Sequence, residues 1–265
     1  MGVVFYVCTN VSNAHRRGQL KANEHKKCTH DIEIDYVNRK VTKTSDASNP
    51  NYNGFLLEQE VHYLLGTGIV SKDSIIMDYF GKSGFFCLSH VSSIDKELNK
   101  LSEKLSNVDS LKDKVPIVGD ASFVNKVDAR VNREDYFSKL FFANAASFSG
   151  ERREDFVITH TDLKPDNYAV DDFGNVRLFD FESVAYAPKS YAWSSLLLNL
   201  CLTENAHWKD FANLGLWDES SLRFKAAMHL THFAWRNGEK EAFVQKEKID
   251  NILSLLNSSF SLHTA

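Results

Sequence analysis

The sequence predicts an α+β protein in which strands dominate the N-terminal part and helices dominate the rest. Residues 31–36 alternate apolar and acidic side chains, which is the period of a half-buried strand, and an Asn-Arg turn separates them from a second strand-like stretch at 41–44. From residue 55 onward, apolar side chains recur mostly at three- and four-residue spacing, which is the period of an amphipathic helix. These two patterns predict a small antiparallel sheet followed by a larger helical part.

The individual elements follow from the same two periods. Strands are predicted at 3–7, 31–36, 41–44, 74–79, 84–88 and 157–160, and helices at 55–65, 92–114, 136–148, 188–202, 211–216, 221–236 and 240–256. A Gly-Lys-Ser-Gly turn is expected to join the strands at 74–79 and 84–88. The helix at 136–148 is rich in phenylalanine, so one of its faces is expected to be buried.

Length and composition limit the classes of protein to consider. The chain has 265 residues and a formal net charge of -4, which suits one two-lobed domain or two small domains. It contains no apolar run of about eighteen residues, so no membrane-spanning helix is predicted. The four cysteines are scattered, which favours reduced thiols and a cytoplasmic location. The acidic balance disfavours a nucleic-acid partner, although residues 15–17 are basic.

The most informative stretch runs from residue 157 to residue 182. A short apolar strand leads into a polar loop with Asp162 and Asn167, and a hairpin is predicted from strands at 168–170 and 176–179 around a turn at 171–175. A hairpin brings its ends together, so Asn167 and Asp180 are expected to lie side by side. Amide and carboxylate oxygens suit Mg²⁺ that also binds phosphate oxygens. Asp162 is placed to meet a substrate hydroxyl, and the stretch therefore predicts a phosphoryl-transfer site.

This stretch resembles the catalytic loop and metal-binding strand of the protein-kinase-like superfamily, most closely its aminoglycoside and choline phosphotransferase branch. The His-Thr-Asp that begins at His160 stands where that superfamily has its His-x-Asp motif, and Asn167 stands where the loop ends. The Asp-Phe-Glu that begins at Asp180 is common in the small-molecule branch. The resemblance implies that Asp162 is the catalytic base and that Asn167 and Asp180 hold the metal that bridges the nucleotide phosphates. His160 is expected to brace the loop.

The same resemblance implies a bilobal fold and a nucleotide site in its N-terminal lobe. The small lobe is expected at 1–90 and the helical lobe at 91–265. Lys43 is the candidate for the strand lysine that grips the phosphates, with Lys40 as the alternative. Glu60 is the candidate for the helix glutamate that pairs with this lysine, with Glu58 as the alternative. His90 is expected in the hinge that meets the adenine.

Two features depart from the pattern of the superfamily. Kinase-like proteins usually cover the phosphates with a glycine-rich loop, and here the corresponding loop has only Gly18. Either His15, Arg16 and Arg17 supply the charge instead, or the loop is vestigial and the protein is a pseudokinase. The second feature is Lys164, two residues after Asp162. A lysine there is typical of protein serine/threonine kinases, where it neutralises charge on the transferred phosphoryl group.

These observations predict a phosphotransferase that uses ATP and Mg²⁺ to transfer the γ-phosphoryl group to a hydroxyl. A helix is expected soon after Asp180, where protein kinases have a long activation segment, so the expected acceptor is a small molecule. Glu182 and Glu204 are acidic candidates to receive a cationic acceptor. A protein serine/threonine kinase is the first alternative. A pseudokinase that acts as a binding module is the second.

Overall fold

The computed structural model describes residues 30–49, 51–80, 84–111, 113–120, 123, 135–148 and 155–260. Its described residues form two compact units, and both are discontinuous in sequence. The described residues of the first unit are 30–49, 51–80, 84–85, 89–111, 113–114 and 165–184, and those of the second are 86–88, 115–120, 123, 135–148, 155–164 and 185–260. The division into lobes at 1–90 and 91–265 stays a prediction, while the α+β composition is confirmed. Among the described residues, no helix combines the length and apolarity needed to cross a membrane.

A four-stranded antiparallel sheet forms one layer of the first unit. Its strands are β1 (Asp31–Asp35), β2 (Lys40–Thr44), β3 (Gly68–Val70) and β4 (Ser74–Asp78), in the order β1-β2-β4-β3. The first two strands pair with Ile34 opposite Val41, and the turn between them places Arg39 at a φ of 51°. The predicted pairing of the first two strands is confirmed. The strand predicted at 3–7 lies outside the described residues.

Helix α1 (Tyr52–Leu65) packs against this sheet. Phe55 and Val61 are fully buried on its inner side, together with Ile75 of β4. The helix ends at Gly66, which has a left-handed φ of 66° that a residue without Cβ adopts at little cost. Helix α1 therefore presents the side chains that follow Phe55 at helical spacing to the interior of the unit.

The predicted hairpin is confirmed. Strands β6 (Tyr168–Val170) and β7 (Val176–Leu178) pair antiparallel, with Tyr168 opposite Leu178. The Asp171 carboxylate accepts hydrogen bonds from the backbone N–H groups of Phe173 and Asn175, at 3.0 and 2.8 Å, which fixes the turn. Helix α2 (Val91–Ser106) packs on β7 and buries an apolar stripe at helical spacing, formed by Ile94, Leu98, Leu101 and Leu105.

The prediction of a strand at 84–88 is wrong. The Gly84 N–H donates to the Pro165 carbonyl at 2.8 Å, and the Tyr168 hydroxyl donates to the Phe85 carbonyl at 2.8 Å. Because these backbone groups bind Pro165 and Tyr168, they do not form a sheet ladder. The strand that pairs with β4 is instead β3, a stretch of three residues that is too short to show a periodic pattern.

The second unit is mainly helical. Its elements are α3 (Tyr136–Phe148), β5 (Phe156–His160), β8 (Val184–Pro188), α4 (Ser190–Leu202), α5 (Trp208–Ala212), α6 (Glu219–Asn237) and α7 (Glu239–Phe260). Strands β5 and β8 form a two-stranded sheet. The core is rich in aromatic side chains, and Phe141, Phe148, Tyr191 and Phe224 are almost completely buried in it. The burial of one face of α3 is thereby confirmed.

Two boundaries in this unit differ from the predictions. Residues 184–188 form strand β8, so α4 begins at Ser190 and not at residue 188. Tyr186 exchanges backbone hydrogen bonds with Pro116 and Val118, both at 2.8 Å, which keeps this stretch extended. The helix predicted at 211–216 occupies Trp208–Ala212 instead. The segment between Asp180 and α4 is nevertheless short, as predicted.

Candidate active site

Strand β5, in the second unit, leads into the predicted catalytic loop. His160 at its end is fully buried, and the backbone N–H of Asp162 donates to His160 Nδ1 at 3.3 Å. Thr159 and Thr161 are buried on either side. The expected role of His160 in bracing the loop is confirmed by this hydrogen bond, and the backbone position of Asp162 is fixed by it.

Two lysines share the carboxylate of Asp162. Lys164 Nζ donates to Asp162 Oδ2 at 2.8 Å, and Lys225 Nζ donates to Oδ1 at 2.9 Å. Burial alone raises the pKa of Asp162, but the charges of Lys164 and Lys225 outweigh it and hold that pKa well below its usual range. Asp162 is therefore an ionised hydrogen-bond acceptor at neutral pH. Its side chain is 36% exposed, so an incoming group has access to it.

Lys225 is the residue that the sequence analysis missed. It lies on helix α6, is only 7% exposed, and also donates to the Thr161 carbonyl at 2.8 Å. A signal was present in the sequence, because Lys225 follows Leu222 by three residues and precedes Ala226 on the apolar stripe. A lysine among the buried positions of a helix needs an anionic or carbonyl partner. Sequence spacing could not say which partner it has.

The hairpin ends, which carry the candidate metal ligands, lie in the first unit. The Phe179 N–H donates to the Asn167 carbonyl at 3.1 Å, which extends the ladder of β6 and β7 and brings the two chain ends together. Asn167 is 4% exposed, whereas the Asp180 side chain is 41% exposed. Asp180 has a left-handed φ of 63°, a conformation that Asp and Asn tolerate better than most residues. The turn redirects the chain directly after β7.

Lys43 is the centre of a buried charge cluster in this unit. Its Nζ donates to Glu58 at 2.6 Å, to Asp180 at 3.1 Å, and to Glu182. Burial lowers the pKa of Lys43, but the three carboxylates overcome this and raise it well above its usual range. Lys40, the alternative candidate, pairs instead with Asp78 at 2.5 Å among exposed side chains. The structure thus places Lys43 against the aspartate of the Asp-Phe-Glu motif.

The helix glutamate that pairs with Lys43 is Glu58, which corrects the expectation of Glu60. Glu58 is fully buried, whereas Glu60 points elsewhere and pairs with Lys114 at 2.6 Å. Two residues turn a helix by about 200°, so the two glutamates face opposite sides of α1. Burial alone raises the pKa of Glu58, but Lys43 and His62 lower it to about 2. Glu58 also accepts a hydrogen bond from the Phe181 N–H at 3.2 Å.

The two acidic candidates for a cationic acceptor are both paired within the protein. Glu182 binds Lys43, the His30 ring at 2.8 Å, and the Asn51 side-chain amide. Glu204 is exposed and pairs with Lys248 at 2.8 Å. Both carboxylates therefore have partners within the protein, and their expected contact with a cationic acceptor stays a prediction.

Among the described residues, three carboxylates lie close enough together to hold a metal ion. Oxygen atoms of Glu58, Asp180 and Glu182 lie within 4.8 Å of one another. Glu58 and Glu182 both bind Lys43 and are buried or largely buried, whereas Asp180 has an exposed carboxylate at the end of the hairpin. Hard oxygen donors of this kind suit Mg²⁺ held jointly with phosphate. The exposed carboxylate of Asp180 can accept such a metal ion, and Asn167 as its second ligand stays a prediction.

His90 ends a short 3-10 turn, Leu88–His90, directly before α2. Its ring packs edge-on against Phe85 and Tyr168, with ring centres 5.6 and 6.0 Å away. Burial lowers the pKa of this imidazole. The contact with adenine expected for this segment stays a prediction.

The chain has the protein-kinase-like fold, in the form found in small-molecule phosphotransferases. It is similar in structure to choline kinase LicA from Streptococcus pneumoniae, with a TM-score of 0.54 and 12% identity over 87% of this chain and 90% of that one. An aminoglycoside phosphotransferase from Streptomyces rimosus gives a TM-score of 0.52 and 14% identity over 76% of this chain and 88% of that one. Amicoumacin kinase hAmiN, in complex with AMP-PNP, Ca²⁺ and Ami, gives a TM-score of 0.57 and 10% identity over 83% of this chain and 84% of that one. No family model and no curated protein sequence matches the chain.

Proposed function

We propose that the protein is a phosphotransferase that moves the γ-phosphoryl group of ATP to a hydroxyl of a small molecule, with Mg²⁺ as the metal. The observation that carries the proposal is the buried contact of Lys43 with both Glu58 and Asp180. A lysine held by a helix glutamate next to a metal-binding aspartate is the arrangement that positions nucleotide phosphates in kinases. The likeness in fold to solved small-molecule kinases supports the same conclusion.

Each candidate site residue has a distinct role in this proposal. Lys43 binds phosphate oxygens of the nucleotide, and Glu58 orients Lys43. Asn167 and Asp180 would hold Mg²⁺, which neutralises phosphate charge when it is bound. The oxygen of the acceptor hydroxyl forms a bond to the γ-phosphorus while the bond from that phosphorus to ADP breaks. Asp162 accepts the hydrogen bond of the acceptor hydroxyl and aligns its oxygen for this attack.

Lys164 has a task at the same centre. It pairs with Asp162 at 2.8 Å, and its side chain is 25% exposed, so it can also reach a group that approaches Asp162. In this proposal it offsets negative charge on the phosphoryl group during transfer. A protein hydroxyl as acceptor is the second candidate, because this lysine position is typical of protein serine/threonine kinases. A cytoplasmic location belongs to the proposal as well, supported by the scattered spacing of the four cysteines.

Nucleotide binding provides the first test. We expect ATP to raise the melting temperature more with Mg²⁺ than without it, because a ligand that binds only the folded state stabilises it by about 2.7 kcal/mol at one hundred times Kd. Asp180→Asn keeps a residue that tolerates the left-handed backbone and should lose the Mg²⁺-dependent part of the shift. Asp172→Asn, in the exposed hairpin turn, is the matched control. Equal Mg²⁺-dependent shifts in both variants would remove Asp180 from the metal site.

Turnover provides the second test. ATP consumption should rise in the presence of at least one member of a panel of small hydroxyl compounds that includes cationic, neutral and anionic members. Asp162→Asn should abolish this turnover while ATP still stabilises the protein. Efficient labelling of casein-like proteins with no stimulation by the panel would favour the protein-kinase alternative. Nucleotide binding without any turnover would favour the pseudokinase.

A further inference from the structure

The buried ammonium of Lys225 is not explained by the nucleotide site. It lies in the second unit, on helix α6, and its side chain is 8% exposed. Its Nζ makes two hydrogen bonds to the catalytic loop, one to the Thr161 carbonyl at 2.8 Å and one to Asp162 Oδ1 at 2.9 Å. Removing a lysine from water is costly unless charge and hydrogen bonds replace the water. Both of its described partners belong to the loop.

The two bonds fix the catalytic aspartate at two points. The bond to the Thr161 carbonyl holds the backbone just before Asp162, and the bond to Oδ1 holds the end of its side chain. Rotation about the side-chain bonds of Asp162 would break the second contact and leave a buried cation without its carboxylate. The other oxygen, Oδ2, is bonded to Lys164, whose side chain is more exposed. Lys225 therefore defines which oxygen of Asp162 is directed outward.

We propose that Lys225 is a positioning residue that fastens Asp162 in the orientation in which Oδ2 meets the acceptor hydroxyl. This inference rests on the proposed phosphotransferase function and adds to it a residue outside the recognised motif. Lys225 acts through Asp162 and has no assigned contact with nucleotide or acceptor. Its removal is therefore expected to reduce the rate of transfer and to leave nucleotide affinity unchanged.

The other ionisable groups around Asp162 do not replace Lys225. Tyr191, on α4, has its pKa raised by burial and by the charge of Asp162, so it is neutral at physiological pH. His229 lies one turn after Lys225 on α6, and burial together with the charge of Lys225 lowers its pKa to about 4. Lys164 is the other cation that lowers the pKa of Asp162. Loss of Lys225 should consequently raise the pKa of Asp162, since burial opposes ionisation.

The test combines a titration with kinetics. In protein labelled with ¹³C at the aspartate Cγ, the signal of Asp162 is assigned by its loss in Asp162→Asn. In the wild-type protein, Asp162 should stay ionised below its ordinary pKa of 3.8, whereas in Lys225→Met its titration midpoint should lie at higher pH than in the wild-type protein. For Mg·ATP turnover, the variant should lose about 10- to 100-fold in kcat, the scale of a misplaced catalytic group, with little change in KM for ATP. The acid limb of the pH dependence of kcat should shift to higher pH in this variant.

Matched variants separate positioning from a general loss of stability. Lys246→Met removes a partly buried lysine that pairs with Asp250 at 2.5 Å on α7, and neither kcat nor the Asp162 midpoint should change. An unchanged Asp162 midpoint in Lys225→Met, or a fall in kcat with no shift of the acid limb, would overturn the proposal. If Lys225→Met does not fold, Lys164→Met leaves Lys225 as the remaining partner. Protonation of Asp162 at or above pH 3.8 in Lys164→Met would then contradict the role of Lys225.

The titration of Asp162 and the turnover assay can fail independently, so the test separates this inference from the proposed function. If the wild-type protein turns over no ATP with any acceptor, the phosphotransferase proposal fails. The Asp162 midpoint still reports whether Lys225 controls that carboxylate. Normal turnover by the wild-type protein, together with an unchanged Asp162 midpoint in Lys225→Met, would reject the positioning role of Lys225 and retain the proposed phosphotransferase function.

Discussion

At the scale of single residues, the site depends on which carboxylates reach a buried lysine. The choice between Glu58 and Glu60 was open in the sequence because both follow the start of one helix, and spacing alone does not say how the helix is rotated. The structure buries Phe55, Glu58 and His62 along one face of α1, and it leaves Leu64 and Leu65 only partly buried. The sequence analysis assigned the apolar stripe to Leu57, Val61, Leu64 and Leu65, and this assignment placed Glu60 instead of Glu58 on the inner side of the helix.

This difference predicts unequal effects for two identical substitutions. Glu58→Gln removes a buried partner of Lys43 and should lower the free energy of unfolding by about 1–3 kcal/mol, less than a completely broken buried pair because Asp180 and Glu182 remain. It should also weaken the stabilisation by Mg·ATP, since Lys43 loses its orienting partner.

Glu60→Gln is the control for that measurement. It breaks the pair with Lys114, whose side chain is 55% exposed, and exposed pairs contribute about 0–1 kcal/mol. Urea unfolding of the two variants gives both free energies directly. If Glu60→Gln costs as much as Glu58→Gln, the burial of the Lys43 pair has no energetic role.

At the scale of elements, periodicity predicted those segments that bury one face against a single neighbour. The hairpin at Asn167 to Asp180 and helix α3 follow from residue types alone, because turn residues and apolar spacing agree there. The stretch at 84–88 has the composition of a buried strand, but its backbone groups bind Pro165 and Tyr168, which are distant in sequence. Strand β8 was missed for a similar reason, since Pro116 and Val118 hold it extended.

Helix α6 carries Lys225, so the stability of its first turn is relevant to the site. Asp218 is its N-cap, and its carboxylate accepts a hydrogen bond from the Ser221 N–H at 2.7 Å and another from the Ser190 hydroxyl. Asp218→Ala should cost about 0.5–2 kcal/mol of unfolding free energy, and Asp218→Asn much less because Asn also caps well. Thermal and urea unfolding check this, with Asp250→Ala, at an exposed position of α7, as the control. Equal losses for the Ala and Asn variants would argue against capping.

At the scale of the whole molecule, the candidate residues are divided between the two compact units. Asp162, Lys164 and Lys225 belong to the second unit, whereas Lys43 and the hairpin ends belong to the first. The sequence motif is continuous through this division, and the boundary falls between Lys164 and Pro165. Sequence analysis recognised the motif but could not locate the boundary, because the contacts that define each unit come from distant segments.

Hydrogen exchange should reveal this division. Addition of Mg·ATP is expected to slow amide exchange in Lys40–Thr44, in Tyr52–Leu65 and in the hairpin, because the proposed phosphate and metal ligands lie there and ligand binding suppresses local opening. Helix α7 should change little. The protection should be lost in Asp180→Asn and retained in Asp172→Asn. Protection of α7 equal to that of the hairpin would instead indicate a global response to nucleotide.

The stretch between Asp180 and helix α4 has a consequence for control. In many protein kinases a segment at this point becomes ordered when it is phosphorylated, and the enzyme is switched on. Here the residues form a 3-10 turn at Phe181–Ser183, strand β8 at Val184–Pro188 and then a helix, with Tyr186 bonded on both sides of its peptide unit. This stretch therefore belongs almost entirely to regular structure. Under the proposed function, we expect activity that does not depend on phosphorylation of this segment, so that the output is set by the amount of protein and the supply of acceptor.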